Sequence, residues 1–159
     1  MKKNPIKVII ALAIATIIFT LDQWSKTAIL GWQEVVDGNV IKVTSFFNFI
    51  LVFNRGVSFG MFSEHNQPLL LILVAMVIVL ILLVWLWETT SMATVFSIGF
   101  IIGGAVGNVM DRIYYGAVVD FLDFHINNLH WPAFNIADSF IFIGVVVLCV
   151  YSMFFEKKF

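Results

Sequence analysis

The chain reads as an α-helical membrane protein built on a bundle of four transmembrane helices. Three observations carry that expectation. Hydrophobic residues make up 61% of the 159 positions and charged residues only 12%, about half the charged share of an ordinary soluble domain. Four segments are long and apolar enough to cross a bilayer. Five of the nine Lys/Arg residues, Lys2, Lys3, Lys7, Lys157 and Lys158, sit at the two ends. By the positive-inside rule both termini then lie in the cytoplasm, which requires an even number of spans.

The spans are expected at about 8–29, 69–87, 92–110 and 139–155, within one domain covering 1–159. Leu69–Trp87 is uncharged throughout, and at 1.5 Å per residue it extends about 28 Å, one hydrocarbon thickness. Ser139–Phe155 is also free of charge. Met92–Met110 carries glycines, which suit a helix packed against other helices. Val8–Leu21 is too short alone, so the first helix must run on through "DQWSK" toward Ile29. Lysines before a short apolar run also resemble a secretory signal peptide, but no small-x-small cleavage site follows. The "ETTS" link at 88–91 becomes a tight cytoplasmic turn, and the connections at about 31–68 and 112–137 face outside. In the first of these, "NVIKVTSFFNFILVFNRGVSFGMF" is rich in β-branched and aromatic residues, so a few strands are expected there at the membrane surface. Its six aromatics from Phe46 to Phe62 suit the headgroup zone.

Several function classes lose support at once. A net charge of −1 offers no basic patch for nucleic acid. Cys149 is the only cysteine and sits in an apolar run, where it reads as a packed hydrophobe.

Polar side chains at membrane depth cost on the order of 2.5–3.5 kcal/mol by insertion scales, so each asks for a partner. Asp22 and Lys26 are four apart on one helix face, with Gln23 and Ser25 nearby. They are either a plain ion pair near the outer interface or a support for a site there. Ser25 beside Lys26 hints at a Ser–Lys nucleophile, but adjacent helical residues diverge by about 100°. In "GGAVGNVMDR", Gly103 and Gly107 form a small-xxx-small pair for close packing. Asn108, Asp111 and Arg112 would point one way from the helix tip. "NRGVSFG" offers Asn54 with Gly56 and Gly60, either a surface turn or an amide set over a substrate.

The stretch "VVDFLDFHINNLHWPAFNIADS" at 118–139 gathers three of the chain's acids. Asp120 lies just outside the third span and Asp138 begins the fourth. If those helices are neighbours, the carboxyls can meet at the outer face, where two close carboxylates cannot both ionise cheaply. One ionised and one protonated carboxyl is the equipment of an aspartic protease. The plainer reading makes Asp138 a helix cap and leaves Asp120 solvated. Spacing alone does not separate the two. The segment between the aspartates is either a lid or a plain outer loop.

The blocks "DQWSK", "NRGVSFG", "GGAVGNVMDR" and "VVDF…FNIAD", in this order across a four-span chain, resemble bacterial lipoprotein signal peptidase (signal peptidase II). The likeness covers essentially the whole sequence, Ser58 standing where the family often has alanine. It implies a four-helix membrane bundle with a small extracytoplasmic β-cradle and a short outer amphipathic helix. It implies a cofactor-free aspartic endopeptidase of the bacterial cytoplasmic membrane, working as a monomer near the outer face. Its substrate would be a diacylglyceryl-modified prolipoprotein, cut just before the lipidated cysteine. The resemblance makes Asp120 and Asp138 catalytic and gives supporting roles to Asp22, Lys26, Asn54, Gly56, Asn108, Arg112 and Asn135.

Two rivals remain at this point. A metalloprotease would draw on Asp120, Asp123, His125 and His130, yet there is no H-E-x-x-H, and the two histidines stand five apart. The other is a proton-coupled transporter or channel using the same acids, against which the acids cluster at one face. No G-x-S-x-G points to a serine nucleophile.

Overall fold

The computed structural model describes residues 5–56 and 67–155. Lys2, Lys3, Lys157 and Lys158, and Ser58, Phe59, Gly60 and Phe62, lie outside the described residues.

Four helices are long and apolar enough to span a bilayer. α1 runs Pro5–Leu30, α3 Gln67–Glu88, α4 Met92–Tyr115 and α5 Ile136–Phe154. A one-turn helix, α2 Gln33–Val36, follows α1 and buries Val35 completely. Pro5 opens α1 with the fixed φ that suits a first helical position. α4 is capped at one end by the Ser91 side chain, which accepts from the Thr94 N–H at 3.3 Å. It continues five residues past Met110 and stops at Gly116, whose φ of 68° ends it in a left-handed cap. Asp111 and Arg112 therefore lie on the helix, in register with Asn108. α5 starts at Ile136, ahead of Ser139, so Asp138 falls inside its first turn.

α4 is the central helix and packs against α1, α3 and α5. Its glycines make that possible. A Cβ at Gly103 would stand 2.6 Å from the Ala15 carbonyl oxygen of α1, and one at Gly104 would stand 2.5 Å from the Ala137 carbonyl oxygen of α5. One face of α4 thus accepts α1 and another accepts α5 at backbone contact. Ala11, Ala15, Leu82, Leu86, Val95 and Ile98 fill the interior.

At one end of the bundle sits a four-stranded antiparallel sheet of order β1-β2-β3-β4. Its strands are β1 Ile41–Lys42, β2 Phe47–Asn54, β3 Val118–Ile126 and β4 Leu129–His130. The strands expected near 40–54 are present. The segment between the two aspartates, expected as loop or lid, instead supplies most of β3 and the hairpin to β4. Asn127 turns that hairpin at φ 53°, a left-handed conformation asparagine tolerates. A register shift between Phe49 and Val52 bends β2 as it crosses β3. Phe121, Val35 and Ile29 form a small core that fastens the sheet to the end of α1.

Candidate active site

β3 leaves α4 through a single cap and α5 starts six residues after β4 ends, so a strand and a helix N-terminus meet where the bundle touches the sheet. Asp120 comes from β3 and is buried; Asp138 comes from the first turn of α5 and is half-buried. Asn135 joins them. Its Nδ2 donates to Asp120 Oδ1 at 2.7 Å, while its Oδ1 accepts from the Asp138 backbone N–H at 2.9 Å. Asp138 Oδ2 returns the bond by accepting from the Asn135 N–H at 3.3 Å, closing a capping box. The capping role expected of Asp138 and its nearness to Asp120 therefore coexist.

The other oxygen of each carboxyl accepts from an amide whose orientation is dictated from behind. Lys26 Nζ carries only donors, so Asn108 must present Oδ1 to it, at 3.1 Å. That turns Asn108 Nδ2 toward Asp138 Oδ1, to which it donates at 2.7 Å. In the same way the Gly56 N–H donates to Asn54 Oδ1 at 3.2 Å, and Asn54 Nδ2 donates to Asp120 Oδ2 at 3.0 Å. Among the described residues, every hydrogen bond to the two carboxyls comes from an amide donor, and neither carboxyl is held by a direct salt bridge.

Beneath this layer lies a buried charge cluster. Lys26 Nζ stands 2.7 Å from Asp22 Oδ2 and 2.8 Å from Asp111 Oδ2. Asp22 Oδ1 accepts the Ala137 N–H at 2.9 Å, so α1 caps the first turn of α5 across the bundle. Asp111 Oδ2 accepts the Val119 N–H at 3.0 Å, and its Oδ1 accepts from Gln23 Nε2 at 2.9 Å. Asp111 thereby fixes β3 one residue before Asp120. Its partners are a backbone amide and a side chain from another helix, which is why spacing along the chain could only place it near Asn108. Arg112 joins through the Asn108 carbonyl at 3.2 Å and lies within electrostatic reach of Asp138 and Asp120. Ser25 Oγ bonds the Asp22 carbonyl within its own helix at 2.7 Å, so it is not paired with Lys26.

Burial pushes the Asp120 carboxyl up to about 7; the Asn54 bond opposes this, the charge of Asp138 adds to it, and the Asn135 bond opposes it. Asp123, three residues along β3, projects from the opposite face. Burial would raise it, but bonds from Asn48 Nδ2 at 2.7 Å and His130 Nδ1 at 2.7 Å hold it below the usual carboxylate range. The sequence neighbours Asp120 and Asp123 thus serve different faces. Among the described residues no three His, Cys, Asp or Glu side chains converge as metal ligands would.

Comparison with known proteins decides the family, since the sequence profile of Signal peptidase (SPase) II matches residues 14–155. The chain belongs to the signal peptidase II family. It is 41% identical over 150 residues to the lipoprotein signal peptidase of Francisella tularensis subsp. novicida (strain U112), covering 91% of this chain and 92% of that one. It is 41% identical over 141 residues to the lipoprotein signal peptidase of Alteromonas mediterranea, covering 86% and 76%. A solved structure described as a bacterial membrane enzyme, determined by the in meso method at 2.3 Å resolution, superposes with TM-score 0.79 at 26% identity over 94% of this chain and 92% of that chain. The protein is therefore a peptidase of the signal peptidase II family, with the four-helix bundle and small antiparallel sheet of a membrane enzyme. No observation favours the transporter reading.

Proposed function

We propose that this peptidase, a single integral domain working as a monomer, removes the signal peptide from diacylglyceryl-modified prolipoproteins, cutting just before the lipidated cysteine. Asp120 and Asp138 are its dyad. The observation that carries the reading is that two aspartates from separate elements share one asparagine, with every accessory contact a fixed amide donor.

The roles divide by environment. Asp120 is buried and holds its proton up to about pH 7, which suits the acid. Asp138 is half-buried, and its oxygens accept from Asn108 and the Asn135 N–H, which suits the base. Asp138 takes a proton from water as the water oxygen attacks the scissile carbonyl. Asp120 donates a hydrogen bond to that carbonyl oxygen as negative charge develops. The proton gained by Asp138 then passes to the leaving amine as the C–N bond breaks. Asn54, with its amide aimed at Asp120 and its neighbour Gly56, borders the place a substrate backbone would occupy. Asp22, Lys26, Asn108, Arg112 and Asn135 hold the two carboxyls in place.

Both termini are cytoplasmic and the site is near the outer face. Lys7 Nζ donates to the Thr90 carbonyl at 3.1 Å, so the start of α1 and the α3–α4 turn share the end of the bundle opposite the sheet. The lysines at the chain ends favour the cytoplasm for that end.

The test is cleavage of a diacylglyceryl-modified prolipoprotein by purified wild type, Asp120→Asn and Asp138→Asn in detergent with EDTA present. Wild-type cleavage with at least a hundredfold loss in each folded variant is the expected result, in line with removal of a general acid or base. Near-normal activity in either variant would exclude that residue from the dyad.

A further inference from the structure

Asn135 joins the two aspartates, and the chain reaches it from β4 through the strap 131–134. β4 is only two residues long, well short of the usual strand of about five or six, and it forms the edge of the sheet. Its backbone pairs, His125 with His130 and Ile126 with Leu129, are reinforced by a side-chain tie. His130 Nδ1 donates to Asp123 Oδ1 at 2.7 Å, since an ionised carboxylate only accepts. Asp123 Oδ2 accepts from Asn48 Nδ2 at 2.7 Å. Buried on β3, Asp123 thus gives one oxygen to each neighbouring strand and fastens β2, β3 and β4 together. The His125 ring lies stacked against that of His130, their centroids 4.8 Å apart.

Beyond His130 the strap turns back toward the bundle. The Trp131 N–H donates to the Phe124 carbonyl at 2.8 Å, and Phe134 exchanges backbone bonds with Leu122. Pro132, between them, has no N–H to offer. Asn135 then enters the site, where its Nδ2 donates to Asp120 Oδ1 at 2.7 Å and to the Val119 carbonyl at 3.3 Å. Asp123 lies on the face of β3 away from Asp120, and its own hydrogen bonds go to neither aspartate of the dyad.

We propose that Asp123 and His130 are positioning residues, whose bond fixes the end of β4 and through the strap sets Asn135 against the dyad. This rests on the dyad proposed above. It carries a signature that a plain loss of stability lacks. With Asp120 as the acid, kcat/KM falls as pH rises through about 7. The Asn135 bond favours the ionised form of Asp120, so a displaced Asn135 lets that carboxyl rise, and the falling limb moves to higher pH. Deleting the charge of Asp123 acts with the opposite sign: one negative charge fewer near Asp120 favours its ionisation and moves the limb down. The direction of the shift separates position from charge.

The experiment is the pH profile of kcat/KM for a diacylglyceryl-modified prolipoprotein in nanodiscs, cleaved by wild type, Asp123→Ala, His130→Ala and His130→Asn. Both alanine variants are expected to lower kcat about tenfold with KM within about twofold. Their falling limb moves up by about half a pH unit, part of the shift that complete loss of a bond to a charged group gives. His130→Asn, whose amide can place a donor where Nδ1 stands, returns the limb to its wild-type position. His130 is exposed at the sheet edge, so its variants keep the fold, as their Tm checks, and they decide the matter if Asp123→Ala does not fold. A limb that stays in place or moves down in folded His130→Ala, or one that His130→Asn fails to restore, would overturn the positioning role alone. A wild type that does not cleave, or that shows no falling limb near pH 7, would overturn the proposed function or its acid, and the positioning role with it.

Discussion

Asn108 shows how a single amide carries information through this site. Lys26 holds its oxygen and so commits its nitrogen to Asp138, linking a buried cation to a carboxyl of the proposed dyad without a direct salt bridge. A lysine in direct contact with the proposed dyad would favour ionisation strongly; held behind an amide, Lys26 still lowers Asp120, but as the last of its causes, and burial leaves the carboxyl raised. Asn54 has the matching place on Asp120, and there the consequence is measurable. With Asp120 as the acid, kcat/KM falls as pH rises through about 7. Asn54→Ala removes a donor that favours the ionised form, so the carboxyl rises further and the falling limb moves to higher pH. A bond to a charged group contributes about 1.5–3 kcal/mol, so the shift is about one pH unit or more. A pH profile of the variant checks it, and an unmoved limb would remove Asp120 from that role. Stability follows the same proton. The raised carboxyl contributes stability fully below the unfolded value near 4, and this is lost as pH rises through about 7. Much of this layer was legible in the sequence, because Asp22 with Lys26 and Asn108 with Arg112 repeat at helical spacing. Asp111 was not, since it acts on the Val119 amide and Gln23, and a backbone partner leaves no mark in a sequence.

The elements carry two kinds of design. α4 is thinned by glycine so that α1 and α5 approach it at backbone distance, and at Gly107 the neighbour is a carboxylate of the candidate site. A Cβ at Gly107 would stand 2.5 Å from Asp22 Oδ2, the carboxylate whose other oxygen caps α5 at Ala137. Gly103 meets only the Ala15 backbone and the Ile18 side chain of α1. Gly103→Ala and Gly107→Ala are each expected to cost about 1–3 kcal/mol from overpacking, visible as similar drops in Tm. Only Gly107→Ala should also lower kcat in the folded enzyme, by about tenfold or more, because it displaces the group that sets the first turn of α5. Equal kcat in the two variants would mean that the Asp22 cap does not govern the position of Asp138. The helices themselves followed from hydropathy, but the end of α4 did not. Spacing from Asn108 put Asp111 and Arg112 at the helix tip, but the span was bounded at Met110, and it takes Gly116 to show that the helix runs on to Tyr115. β3 was the larger omission. Its alternating apolar and acidic residues, "VVDFLDFHI", and the Asn127–Asn128 turn are the signs of a hairpin. They were obscured because strand and lid make the same demand for polar residues between two spans.

Across the whole molecule, the candidate site and Lys7 lie at opposite ends of the bundle. The described acids and cations of the site, Asp22, Lys26, Asp111, Arg112, Asp120 and Asp138, gather where helices meet sheet, while Lys7 clasps the α3–α4 turn at the far end. The proposed orientation, with the Lys7 end in the cytoplasm by the positive-inside rule, can be tested directly. Cys149 is the chain's one cysteine, so Cys149→Ser provides a background free of thiols in which single cysteines report on sidedness. Asn39→Cys lies at the sheet end and Thr90→Cys at the turn, and both positions are exposed. A membrane-impermeant maleimide applied to intact spheroplasts is expected to label Asn39→Cys and spare Thr90→Cys, with both labelled after lysis. The reverse pattern would place the dyad on the cytoplasmic face. Such a site could reach a lipidated cysteine only if the lipid group lay in the inner leaflet, so the labelling result also determines from which leaflet the proposed substrate would be taken.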